Sequence, residues 1–243
     1  MANPEKKPLA KQHYSFADTS GFGFARRTTA DDIFDRIYAE IISMRMEPGT
    51  KISEIDIARQ FEVSRQPVRE AFIRLSNMNL LLVRPQKATI VRKISRKDIV
   101  DARFVRAAVE VEVARLACEK FETKHEAEFE ANLKLQKQAV DENDFDAFHS
   151  LDGAFHRLLC STAERESAYR IITESRAPVD RLCVLSLARR TEFEDVYLDH
   201  VKIYDFLKRK DEANLIAILR KHLSRLDATI AEVSKTHAEY FED

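Results

Sequence analysis

Four side chains in the second half of the chain have types and spacings that could bind a metal ion. Asp152 and His156 stand at i and i+4, so on a helix they leave one face a turn apart and can reach one ion. His200 lies among Tyr197, Val201 and Tyr204, and His222 lies between Leu219 and Leu223, so both imidazoles fall on or beside apolar stripes. An unpaired imidazole there costs free energy unless a partner or a metal takes its lone pair. Three neutral imidazoles and one carboxylate suit a borderline divalent ion such as Zn²⁺ or Ni²⁺. Spacing alone leaves a plainer alternative open, that buried histidines only hydrogen-bond. His149 has no role in this pattern, and His13, His125 and His237 read as surface residues.

A second chemistry is written into the first half. The stretch Ser53–Arg74, SEIDIARQFEVSRQPVREAFIR, packs two amphipathic segments into 22 residues. Ser53 is placed to cap a helix carrying Ile57, Ala58 and Phe61, and Ser64 to cap a second with Pro67 near its start. Val68, Ala71, Phe72 and Leu75 mark the inward side of that second helix, which leaves Arg65, Gln66, Arg69 and Arg74 to point away. Ser, Arg and Gln in a first turn, with another Arg a turn later, suit the edges of bases and phosphates in a major groove. A solvated basic face on an ordinary helical hairpin is the alternative. From Arg59 to Lys97 ten Lys or Arg stand against two acids, a local balance of +8 in a chain whose formal total is −1. Basic charge is therefore concentrated where nucleic acid would lie.

The elements that must position these groups follow from periodicity. A first helix starts after Thr29, runs through Ile33, Ile37, Ile41 and Ile42, and ends at Pro48-Gly49. After the helical pair, LLVRPQKATIVRKI switches to a strand-like period around a turn at Pro85-Gln86-Lys87-Ala88, with Lys87 at its tip. Helix, turn, helix and hairpin make a winged helix-turn-helix over 29–94. From Ser95 to 236 the pattern is helical: Lys97–Phe121, with Ile99, Phe104, Val105, Val109, Val113, Leu116 and Ala117 on one side; Glu126–Val140; Asp144–Thr162; Ser167–Leu187, interrupted at Pro178; Glu192–Lys208; and Asp211–Val233. The fold class is mainly α, an N-terminal winged helix-turn-helix plus a C-terminal antiparallel six-helix bundle. Residues 1–28 read as a flexible arm whose Lys6, Lys7, Arg26 and Arg27 could touch phosphates, and 237–243 as a tail.

Composition agrees. With 243 residues, 44% of them hydrophobic and 33% charged, only 4 Gly and no Trp, the chain is long enough for two helical domains. Cys118, Cys160 and Cys183 are odd in number and sit in apolar helical patterns, as reduced core residues do. No apolar run of about 18 residues and no apolar signal core exists, which excludes a membrane span and predicts a cytoplasmic protein.

The run VSRQPVREAFIRL, preceded by SEIDIA and followed by LLLVRPQKATIV, resembles the DNA-binding domain of GntR-type bacterial transcription regulators over roughly Ile33 to Val91. That resemblance implies Arg65 and Arg69 as the main DNA contacts, with Ser64, Gln66 and the wing tip at Lys87 helping. Two positions depart from it: Ile55 stands where the family often has an Arg that contacts DNA, and Ala88 replaces the usual wing Gly. The runs LDGAFHRLL, YLDHVKIYDFLKRKD and LRKHLSRL resemble the FCD type of ligand-binding domain, which implies that Asp152, His156, His200 and His222 bind a divalent metal at the bundle centre. RFVRAAVEVEVARLA resembles that family's Arg-x-x-Leu-Glu motif, with Val109 for Leu and Glu110 kept. It implies that Arg106 helps to hold the carboxylate of a small organic acid that also coordinates the metal; a plain helix salt bridge between Arg106 and Glu110 is the alternative. A six-helix bundle resembles the VanR-like subgroup more than the longer FadR-like one.

The expected function is a homodimeric transcription repressor that binds a short palindromic double-stranded operator and is switched by a metal-assisted carboxylate effector. Two other functions compete. A metal-dependent enzyme with a DNA-binding tether needs an additional general base, for which Glu110 is the nearest candidate and is already accounted for by its motif. A regulator with a purely structural metal needs no effector at all.

Overall fold

The computed structural model describes residues 28–84, 88–186 and 190–242 of the chain. In the head, α1 (Thr29–Ile42) is opened by a capping box, the Thr28 hydroxyl accepting from the Asp31 amide while Asp31 returns a carboxylate to the Thr28 N–H. It stops at Ile42 rather than at Pro48-Gly49, because Met44 adopts a left-handed φ of 58° and the Met46 amide folds back to the Glu40 carbonyl. Strand β1 (Lys51–Ile52) follows, then α2 (Glu54–Gln60), capped by the Ser53 hydroxyl at 3.2 Å from the Ile55 amide, and α3 (Arg65–Asn77). Ser64 stands at the N-cap of α3 but its hydroxyl makes no capping bond, against the expectation. Strands β2 (Leu81–Leu82) and β3 (Thr89–Val91) form the wing, with β1 as a third antiparallel strand that periodicity did not reveal in two residues. Lys87, at the expected tip, lies outside the described residues. Ile33, Ile37, Ile41, Val68, Phe72, Leu75 and Val91 close the head core.

Strand β4 (Ile94–Ser95) leads directly into α4 (Arg96–Lys120), which Ser95 caps through the Asp98 amide. The rest of the bundle is α5 (Glu126–Glu142), α6 (Phe145–Thr162), α7 (Glu166–Ser186), α8 (Arg190–Lys208), α9 (Glu212–Ser224) and α10 (Leu226–Thr236). Asp144 and Asp211 cap α6 and α9 as their positions suggest. α7 continues through position 178, since Ala177 is held in the head core and Val179 and Leu182 in the core around the linker, and that burial outweighs the cost of an interior proline. The last expected helix is two. At Arg225 the amide bonds back only three residues, to His222, while the guanidinium is pinned to Asp199 and Asp195 of α8. The bundle therefore has seven helices among the described residues instead of six.

Two further corrections bear on the site. Phe104 is 76% exposed and Val105 is also exposed, because at that level the inward face of α4 is polar and carries Arg106 and Glu110, both buried. The segment expected to be a tail ends in strand β5 (Phe241–Glu242), which pairs in parallel with β4, Ile94 opposite Phe241. Around this pairing Ile94, Ile99, Val179, Leu182, Val233 and Phe241 form a small core between head and bundle. The main bundle core lies beyond, from Val113 and Phe129 through Phe155 and Leu159 to Ile203 and Leu219.

Candidate metal centre and nucleic-acid interface

α6, α8 and α9 bring Asp152, His156, His200 and His222 to one place, each offering a donor atom within 4.8 Å of the others. The three imidazoles are buried and Asp152 is mostly so. His156 Nε2 lies 3.3 Å from His222 Nε2 and 3.9 Å from Asp152 Oδ1, and His200 Nε2 lies 3.5 Å from the same oxygen. Two nitrogens bound to one tetrahedral zinc stand about 3.3 Å apart, so these separations fit a shared ion.

Polar groups stand behind the donors, and for His200 they form a hydrogen-bonded chain that aims it. The Leu151 carbonyl accepts from Asn132 Nδ2 at 3.0 Å, so Asn132 Oδ1 must accept from Gln136 Nε2 at 2.6 Å. Gln136 Oε1 then faces His200 Nδ1 at 2.8 Å and can only accept from it. A backbone carbonyl thus sets the tautomer of His200 through two amides and leaves the Nε2 lone pair directed at the cluster. That buried nitrogen has no hydrogen-bond partner among the described residues. His156 Nδ1 lies 2.5 Å from Glu110 Oε2, which likewise turns Nε2 inward. Asp152 gives its other oxygen to Arg176 Nη2 at 2.6 Å, and Asp199 lies 4.0 Å from His222 Nδ1 while Arg225 holds its carboxylate.

The electrostatics keep Asp152, His200 and His222 in their ligating forms. Burial pushes the His200 imidazole down to about 3, and burial together with the neighbouring imidazoles holds His222 well below its ordinary value. Burial alone would raise the Glu110 and Asp152 carboxyls, but Arg106 beside the first and Arg176 beside the second hold both below the usual carboxylate range. Arg106 forms the salt bridge given as the alternative and also borders the cluster. Its Nε meets Glu110 at 2.5 Å, the i+4 salt bridge, and its Nη2 lies 3.2 Å from His156 Nε2, inside the cluster. Arg103 donates from Nη2 to the Leu223 carbonyl at 3.4 Å.

On the head, Ser64, Arg65, Gln66 and Arg69 are exposed along the first turns of α3. Arg65 Nη2 lies 3.2 Å and Arg69 Nε 3.7 Å from the carboxylate of Glu54, and Gln66 donates to Glu70 at 3.0 Å. Arg74 is instead committed to the head itself, paired with Asp31 at 2.7 Å and lying over the Phe34 ring at 4.0 Å. Glu54, Gln136, Arg176 and Asp199 were not singled out from the sequence. The signal for Gln136 was present: it occupies the inward stripe of α5 with Phe129, Leu133 and Val140, where an amide needs a reason.

No helix among the described residues is long and apolar enough to cross a membrane. Residues 29–91 match the family model described as bacterial regulatory proteins, gntR family, and residues 101–225 match the FCD domain. The HTH-type transcriptional repressor RspR of Escherichia coli (strain K12) is 31% identical over 211 residues, covering 87% of this chain and 92% of that one. A probable D-xylose utilization operon transcriptional repressor of Paenarthrobacter nicotinovorans is 30% identical over 80% of this chain and 85% of its own length. Among solved structures, E. coli McbR/YncC superposes with a TM-score of 0.74 at 18% identity over 87% of this chain and all of that one, a likeness of fold.

Proposed function

Because the chain belongs to the gntR family of bacterial regulatory proteins and carries an FCD domain, it is a DNA-binding transcription regulator and not an enzyme, and we propose that it is a metal-dependent sensor of a small carboxylate. The observation that carries this reading is the buried, partnerless His200 Nε2 facing Asp152, His156 and His222. Asp152, His156, His200 and His222 would hold the ion, Zn²⁺ or Ni²⁺ by donor type. A bound divalent ion supplies positive charge and open coordination positions for an anion. Charge bookkeeping favours an acid as the effector. Leaving out the exposed Asp195, which also pairs with Arg225, the buried or mostly buried carboxylates Glu110, Asp152, Asp180 and Asp199 face three guanidiniums, Arg106, Arg176 and Arg225, so this inner shell with neutral imidazoles is one unit negative. A divalent ion would turn it one unit positive, and Arg106 Nη2 stands ready to donate to a carboxylate oxygen.

On the head, Arg65 and Arg69 are the expected principal DNA contacts, with Ser64, Gln66 and Lys87 beside them, on a double-stranded operator in the cytoplasm. Repression is the direction favoured by the named relatives. A homodimer on a palindromic site is supported by the apolar stripe Val100, Phe104 and Val105, exposed on α4.

Elemental analysis of the purified protein, and of chelated protein refilled with Zn²⁺, tests the core of this reading. About one ion per chain is expected, with less in His200→Ala, and dicarboxylates or sugar acids should raise thermal stability only when metal is present. No uptake after refilling, or equal uptake in His200→Ala, would overturn the site. A metal that stabilises the bundle while no acid alters DNA affinity would leave it purely structural.

A further inference from the structure

The ion pair behind the candidate centre does not stop there. Asp152 divides its carboxylate, Oδ1 toward His200 and His156 and Oδ2 to Arg176 on α7. One turn along α7, Arg176 Nε lies 3.5 Å from Asp180 Oδ1. Asp180 in turn acts on the phenol of Tyr38 in α1 of the head, which burial and then this neighbouring carboxylate hold well above its ordinary value, and its Oδ2 lies 3.6 Å from His149 Nε2. Arg176, Asp180 and Tyr38 are all buried.

The same helix touches the head at two more points. Ala177 is part of the head core with Ile33 and Ile37, and Arg181 donates from Nη1 to the Arg92 carbonyl at 2.6 Å in the linker. From α1 the contact continues to the DNA-reading helix, since α1 packs along α3 and Asp31 pairs with Arg74. A polar path about four residues long therefore joins the metal-site carboxylate to the element that seats the reading helix.

We propose that Arg176 and Asp180 are positioning residues that pass the position of Asp152 to Tyr38, and thereby tie occupancy of the centre to the seating of α1 and α3. The reason is burial. Water cannot readily replace a lost partner along this path, and leaving one member of a buried ion pair unmatched is strongly destabilising. When Asp152 reorients toward an ion, Arg176 must follow it or lose it, and Asp180 and Tyr38 must follow Arg176. An exposed pair would re-solvate and transmit nothing. This inference rests on the metal reading above, and Zn²⁺ alone serves as its probe.

The test compares the full chain with Tyr38→Phe, which removes the hydroxyl but keeps the ring that stacks on Phe34 at 5.8 Å. Amide hydrogen exchange of α1 and α3 is followed by mass spectrometry with and without Zn²⁺, beside calorimetric titration of Zn²⁺ into each protein. In the parent, Zn²⁺ should slow exchange around Tyr38 by about fivefold or more. In Tyr38→Phe, Zn²⁺ should bind within about twofold of the parent while the change in α1 falls below about twofold. Should that variant fold poorly, Asp180→Asn is read at saturating Zn²⁺ by the α1 response alone, which should fall below about twofold. Full retention of the α1 response in a variant that binds Zn²⁺ overturns the relay, as does a parent that binds Zn²⁺ with no change in α1. A parent that binds no Zn²⁺ removes the metal reading and the relay with it.

Discussion

Replacing Gln136 with leucine would remove one acceptor, 2.8 Å from His200 Nδ1, and touch none of the four candidate ligands. Both residues are fully buried, so no water can take the place of the amide. His200 would then be free to carry its proton on Nε2, the atom that faces Asp152, and in that tautomer it has no lone pair for an ion. Loss of such an orienting partner typically lowers metal affinity 10–100-fold, which is about 1.4–2.7 kcal/mol. The metal-free protein should also lose about 1–3 kcal/mol, since Asn132 Oδ1 and His200 Nδ1 both forfeit a buried partner. Competition for Zn²⁺ against a chelator of known affinity measures the first quantity, and urea unfolding without metal the second. Gln136→Glu keeps the acceptor and should keep the affinity. If Gln136→Leu binds Zn²⁺ within about twofold of the parent, the tautomer argument fails, whatever the stability change.

Four shorter expectations follow from other parts of the molecule. Arg69→Ala should lower affinity for duplex DNA and reduce the slope of log affinity against log salt by about one, as read by fluorescence anisotropy at several salt concentrations; an unchanged slope removes the phosphate contact. Glu54→Gln takes away the carboxylate that both Arg65 and Arg69 lean on, so binding to random duplex should tighten, and an equal or weaker affinity would contradict this. Phe104→Glu puts a charge in the exposed α4 stripe and should shift the protein toward monomer in sedimentation at about 10 μM; an unchanged mass would remove that face from the dimer. His200, neutral when folded because burial pushes it down to about 3, takes up a proton on unfolding below about pH 6.5. The unfolded chain then holds more protons, so metal-free stability falls as pH drops through that window, by about 1 kcal/mol at this residue between pH 6.5 and 5.5. His200→Gln should lack that component, and parallel stability curves would exclude it.

Two of the candidate ligands were legible from spacing, because i and i+4 fix Asp152 and His156 on one helix face whatever surrounds them, whereas His200 and His222 were joined to them by the family resemblance. Helix starts were legible for the same local reason at Ser53, Asp144 and Asp211, though not at Ser64, which makes no capping bond. What spacing could not give was rotation of a long helix against its neighbours. Phe104 and Val105 read as core from their spacing, yet both are exposed and the inward face at that level carries Arg106 and Glu110, because a buried polar cluster requires a polar wall. The break at Arg225 was equally hidden, since it depends on a guanidinium reaching Asp199 and Asp195 on another helix. Gln136 and Arg176 belong to the same class. Each sits on an apolar stripe for a reason that lies on a helix distant in sequence, with His200 for one and Asp152 for the other.

The pairing of β5 with β4 has a consequence for how the molecule is made. Its outermost tie, Arg92 to Glu242, joins residues 150 positions apart, whereas the head core is drawn mainly from residues 33–91. Chains acquire structure from the N-terminus as they are synthesised, and contacts between distant residues form late. A nascent chain therefore passes through a stage in which the DNA-reading head can be folded while the linker at Ile94 and Ser95 still lacks its partner strand. During that interval the head would stand without the tie that Phe241 and Glu242 add to its linker.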